Sequence, residues 1–119
     1  MPREIDMLDI EHDRIGTVSV VRVRGTLDAL NAPSLKKEVE PLVTGEEPRL
    51  VFDLGGIELI DSSGVGALVA LFKRARGMRG DISIAGLQGQ PKHIFELLRL
   101  NRAFDVHDSP ERAIEMMGR

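Results

Sequence analysis

The stretch Ile60-Asp61-Ser62-Ser63-Gly64-Val65-Gly66-Ala67-Leu68-Val69-Ala70-Leu71-Phe72 constrains this chain more than any other. An acid and two hydroxyls stand in front of an apolar run, Val65 to Phe72, that carries no polar side chain. Aspartate and serine are residue types that cap helix N-termini. The pattern predicts a helix from Ser62 or Ser63 to about Met78, with Gly77 and Gly80 bracketing its end. Just before it, Arg49-Leu50-Val51-Phe52-Asp53-Leu54 reads as a short strand buried on both faces in mid-sheet, broken by Gly55-Gly56. The chain is organised around a serine delivered to the mouth of a helix.

A surface helix keeps part of its circumference polar, and this one does not in its first half. Val65, Leu68, Val69 and Phe72 make the natural core stripe. Gly64, Gly66, Ala67, Ala70 and Leu71 lie off it and form a flat, mostly small-residue surface. Either a neighbouring helix of the same domain covers that surface, or a partner protein docks on it. Two glycines in the first turns each cost about 0.5–1 kcal/mol against alanine, and close approach of another surface would offset this.

Ser62 also has two readings. Asp61, Ser62 and Ser63 are all N-cap types, so one of them simply caps the helix. Alternatively Ser62 is a phosphorylation switch. A phosphate adds about −1.5 to −2 charges, which a helix N-terminus tolerates. Asp61 beside it would add like charge and repel an acidic or apolar partner.

The remaining chain supplies a frame. Ile5 to His12 suggests an edge strand, Asp13 to Gly16 a turn, and Thr17 to Arg24 a strand with one wet face, antiparallel to the first. Asn31 is the expected N-cap for a helix carrying Leu35 and Val39, with Pro33 in its first turn and Pro41 ending or kinking it. Asp81 to Leu87 alternates as a strand. Gln88 to Pro91 is a turn into a helix striped by Ile94, Phe95, Leu97, Leu98 and Leu100. Phe104 to His107 suggests a last short strand, and Ser109-Pro110-Glu111 a capped final helix. Two strands followed by alternating helices and strands predict an α/β fold: a mixed sheet with helices packed mainly on one face.

At 119 residues the chain is expected to be one domain, residues 1–119. A net charge of −3 with both signs spread along the sequence argues against nucleic-acid binding, and the absence of Trp and Tyr removes stacking platforms. With no Cys, and with His12, His93 and His107 far apart, no metal site is expected. No apolar run approaches a membrane span and no leader pattern opens the chain, so a cytoplasmic protein is expected. No cofactor is expected. A nucleophilic Ser62 would need a base within reach and the Gly-x-Ser-x-Gly elbow is missing, so no catalytic residue is assigned. A phosphate-cradling Gly-x-x-x-x-Gly-Lys loop is also missing.

Gly25-Thr26-Leu27-Asp28, Phe52-Asp53-Leu54, Ile60 to Gly66, Ile84-Ala85-Gly86-Leu87, Leu100 to Phe104 and Ser109 to Ile114 together resemble the STAS-domain family, specifically stand-alone bacterial anti-sigma factor antagonists. The resemblance spans about Met7 to Met117 and departs from the family pattern at Gly55-Gly56 and Val65. It implies a STAS-type sheet of four to five strands. It implies phosphorylation of Ser62 by an anti-sigma factor serine kinase, which the unphosphorylated protein binds to release a sigma factor. A metal-dependent Ser/Thr phosphatase would reset the switch. Asp28 would serve kinase binding or phosphorylation, Ser63 would shape the loop, and Gly64 would leave room for the kinase. With the helix face, this puts the partner-binding surface at Asp28, Asp61, Ser63, Gly64, Gly66 and Ala67. The chain is expected to be a monomer. The alternative within the resemblance is a STAS module that binds a nucleotide or serves a signalling or transport complex.

Overall fold

The computed structural model describes residues 8–118. The first strand, β1, spans Asp9–Ile15, and the part of the expected strand at Ile5 to Met7 lies outside the described residues. Asp13 and Arg14 belong to this strand, not to a turn. The chain reverses at Gly16-Thr17, with Gly16 at φ +62°. Polar side chains are tolerated because β1 is an edge. Asp13 pairs across to Arg22 at 3.0 Å, and Asp9 and Glu11 both approach Arg24 at 3.8 Å.

β2 (Val18–Leu27) runs antiparallel to β1 and parallel to β3 (Arg49–Ile60). β4 (Asp81–Ala85) and β5 (Asp105–His107) add further parallel strands, giving the order β1-β2-β3-β4-β5. Each step between neighbouring parallel strands crosses over through one helix: α1 (Ala32–Val39), α2 (Ser62–Gly77) and α3 (Gly89–Leu97). The strand order advances in one direction, so right-handed crossovers put all three helices on the same face. Leu35, Leu68, Leu71 and Phe95 there join Val21, Val23, Phe52, Ile82 and Ile84 in the main core. α4 (Pro110–Met117) covers the opposite face, where Ala113 meets Val18, Val20, Val51 and Ala85. The α/β sandwich expected from the sequence is the one observed.

Alternation along β2 explains its mixed burial. Val21 and Val23 point into the main core, whereas Val18 and Val20 point to α4 and Arg22 and Arg24 continue that second face where α4 no longer reaches. The expected wet face is therefore wet only in its second half.

The largest departure concerns β3. Gly55-Gly56 does not break the strand, which continues to Ile60. The pairing with β2 shifts register between Arg22 and Arg24 and again at Gly25. Gly56 lies opposite Arg24, and a Cβ there would come within 2.5 Å of the Arg24 Cγ. The glycine thus admits a neighbouring side chain at an irregular step instead of ending the strand. This extension carries the start of α2 well beyond the point where β4 stops pairing with β3.

Smaller differences have local causes. β4 ends at Ala85 because Gly86 takes φ +77°, and α3 begins at Gly89, earlier than the turn expected there. Of the stripe expected on α3 only Phe95 is fully buried, and Leu97 and Leu98 are exposed where the helix ends before the left-handed Arg99. Ser109 caps α4 as expected, its hydroxyl accepting the Arg112 N–H at 3.1 Å.

Candidate functional site

The ends of β2 and β3 meet at the start of α2. The Asp61 N–H donates to the Leu27 carbonyl at 3.1 Å, which ties the two strand ends together. Asp61 itself has extended backbone angles and is the N-cap of α2. Its carboxylate accepts the Gly64 N–H at 3.0 Å through Oδ1 and the Ala29 N–H at 3.2 Å through Oδ2. One side chain therefore caps the helix and anchors the loop after β2.

This settles which of the three N-cap candidates does the capping. Ser62 and Ser63 are the first two helical residues, and both are exposed. Among the described residues neither hydroxyl nor either amide has an intramolecular hydrogen-bond partner. A helix start leaves such donors pointing outward, at the positive end of the helix dipole.

Asp28 is half-buried and folds the loop. Its Oδ1 accepts the amides of Leu30 and Asn31 at 3.1 and 3.0 Å, and its carbonyl accepts those of Asn31 and Ala32 at 3.1 and 2.8 Å. This is an Asx turn. Asn31 occupies the N-cap position of α1 but makes no side-chain cap; its amide group instead donates to the Thr26 carbonyl at 2.8 Å. Asp28, Asp61 and Ser62 are thus joined in one corner by backbone and carboxylate contacts.

Gly64 and Ala67 are buried within the domain. A Cβ at position 64 would stand 2.3 Å from the Leu27 carbonyl oxygen and 2.9 Å from the Ile60 Cγ1. The need for glycine here arises from α2 lying directly on the strand ends, which corrects the expectation that Gly64 is small to admit a kinase. Gly66 differs: it is exposed, and a Cβ there would meet nothing within 4 Å. The buried face of α2 runs through Gly64, Ala67, Leu68, Leu71 and Ala75, with Val65 buried beside it and Val69 and Phe72 only partly covered. The expected stripe was therefore displaced. α1 packs against α2, so part of the small-residue surface is internal. What remains open is a groove of about 710 Å³ between the two helices, bordered by Ala29, Lys36, Lys37, Ser63 and Gly66.

Three residues that sequence reasoning passed over help build the corner. The Gln90 side chain accepts the Ile60 N–H and donates to the Ile60 carbonyl, both at 2.9 Å. It replaces the missing neighbour strand at the end of β3. No local pattern announces this, since position 90 reads only as a turn. Leu30 and Leu59 are 76% and 53% exposed, on the loop and the strand that meet at Asp61. For Leu30 the available signal was an apolar side chain in a loop, directly before the expected N-cap Asn31.

A family model for the STAS domain matches residues 9–113. The chain belongs to the STAS domain family. Relatives in the family include an anti-sigma-B factor antagonist of Listeria monocytogenes, 30% identical over 84 residues that make up 71% of this chain and 74% of that protein. The anti-sigma-B factor antagonist of Bacillus subtilis is 25% identical over 96 residues, 80% of this chain and 86% of its own. Among solved structures, an anti-sigma factor antagonist from Mycobacterium paratuberculosis superposes with a TM-score of 0.87 at 24% identity, covering 96% of this chain and 97% of that one. These relatives carry regulatory names, not enzymatic ones. Among the described residues no helix is long and apolar enough to cross a membrane, and no cluster of His, Cys, Asp and Glu could hold a metal ion.

Proposed function

We propose that this STAS protein is a cytoplasmic anti-sigma factor antagonist, switched by phosphorylation of Ser62. In its unphosphorylated form it binds an anti-sigma factor serine kinase and releases the sigma factor that the kinase holds. A metal-dependent Ser/Thr phosphatase restores the binding form, and the protein acts as a monomer. The observation that supports this most is the division of labour at the helix start. Asp61 caps α2, so Ser62 is not needed to hold the fold and its hydroxyl is open to a catalytic cleft. The names of the relatives point the same way.

A phosphate on Ser62 adds about −1.5 to −2 charges beside the open amides of Ser62 and Ser63. The helix accommodates it. A partner seated over Ser63, Gly66, Leu30 and Leu59 does not, because its contact would have to enclose a dianion. Asp28 and Asp61 serve the partner indirectly, by fixing the Leu30 loop against the phosphorylation corner. Gly64 and Ala67 serve it by letting α2 seat on the sheet and on α1.

Incubation with the cognate kinase and ATP should add one phosphate, read by intact-mass spectrometry, and Ser62→Ala should abolish it. Phosphate uptake by the Ala variant would refute the site.

A further inference from the structure

A second candidate site lies at the other pole of the molecule. β3 starts at Arg49 and ends at Ile60, which separates the two regions by on the order of 35 Å of strand. Arg49, Ser83 and His107 share the face of the sheet that α4 covers, since Val51 and Ala85 of that face pack on Ala113. α4 is only eight residues long and stops at Met117, whose carbonyl accepts a hydrogen bond from Arg49 Nη1 at 3.0 Å. A cavity of about 490 Å³ is left between the last turn of α4, the first residues of β3, β4 and β5, and the turn after α2.

Two independent features make this cavity more than a gap. Ser83 is only 2% exposed, yet its hydroxyl borders the cavity and has no hydrogen-bond partner among the described residues. That oxygen is not sealed from the cavity, so its partner is water or a group that the site binds. The walls also carry three arginines, Arg49, Arg76 and Arg79, against two carboxylates, Asp81 and Asp105. Arg76 is balanced by Asp81 at 3.7 Å, and that carboxylate also accepts the Ile82 N–H at 2.9 Å. Arg79 makes no ion pair among the described residues, and neither does Asp105, which is exposed at the rim. The Met116 and Met117 side chains provide an apolar, adaptable wall.

We propose that this cavity binds a small organic phosphate, its phosphate held by Arg79, Arg49 and the Ser83 hydroxyl, and its carbon portion lying on Met116 and Met117. Guanidinium groups match phosphate oxygens with two parallel hydrogen bonds, and the Ser83 hydroxyl on the cavity floor supplies a third donor. The cavity exceeds what a bare phosphate fills.

The test is an NMR titration of the full chain, observing backbone amides, with glycerol 3-phosphate, inorganic phosphate and glycerol at matched ionic strength. Glycerol 3-phosphate should give saturable shifts centred on Gly80, Ser83, His107 and Met117, and glycerol none. Arg79→Gln, at an exposed position, should weaken the binding about tenfold, and Ser83→Ala about threefold. No saturable shift, shifts centred elsewhere, or an isotherm unchanged by Arg79→Gln would overturn the site. Equal affinity for inorganic phosphate would overturn the organic class of the ligand.

Discussion

Of three residues at the start of α2, two hold the fold and one faces open space. Asp61 belongs to the fold: Asp61→Ala removes the N-cap and the Ala29 anchor, and should cost about 1–2 kcal/mol in urea unfolding. Gly64 also belongs to the fold. Gly64→Ala drives a methyl group into the Leu27 carbonyl and should destabilise by about 1–3 kcal/mol. Gly66 faces open space, so Gly66→Ala should stabilise by about 0.5–1 kcal/mol through helix propensity alone. A loss of stability on Gly66→Ala would show that α2 is seated differently. The sequence showed that the first turn was special but not which glycine was structural. Both look alike until the strand ends that lie under one of them are known.

At the scale of elements, the corner depends on β3 outlasting β4. The double glycine read as a strand terminus because glycine weakens a strand in isolation. Its true role depends on Arg24, a residue 32 positions earlier that crowds Gly56 across a shifted register. Non-local pairing of this kind leaves no mark in a local pattern. The same holds for Gln90, which closes the sheet at Ile60 from 30 residues away. Gln90→Ala leaves both the N–H and the carbonyl of Ile60 without their partner. It should cost about 1–3 kcal/mol and speed hydrogen exchange at Ile60 selectively. Unchanged exchange there would mean that water replaces the glutamine at no cost. By contrast, the elements themselves were legible: β-branched alternation marked β2 and β4, and Ser109-Pro110 marked the start of α4. The displaced stripe on α2 has a physical cause too. Gly64 lets the helix rest on its glycine side, which turns Ala67 and Leu71 inward and leaves Val69 and Phe72 at the margin.

For the whole molecule, stability resides in the sheet-and-helix core, not in surface charge. Phe52, Phe95 and Phe104 are fully buried, and Phe52→Ala should remove about 3–5 kcal/mol. Ion pairs such as Arg22–Asp13 join side chains that are at least a third exposed, and each contributes at most about 1 kcal/mol. A scaffold of this kind can present a corner that changes charge while the rest stands still. The most direct test compares the Ser62-phosphorylated and unphosphorylated proteins for thermal unfolding and for binding to the cognate kinase. The phosphorylated form should keep its stability within about 1 kcal/mol while its affinity falls by about a hundredfold or more. Equal affinity of the two forms, or loss of binding only because the phosphorylated chain unfolds, would contradict a switch at this corner.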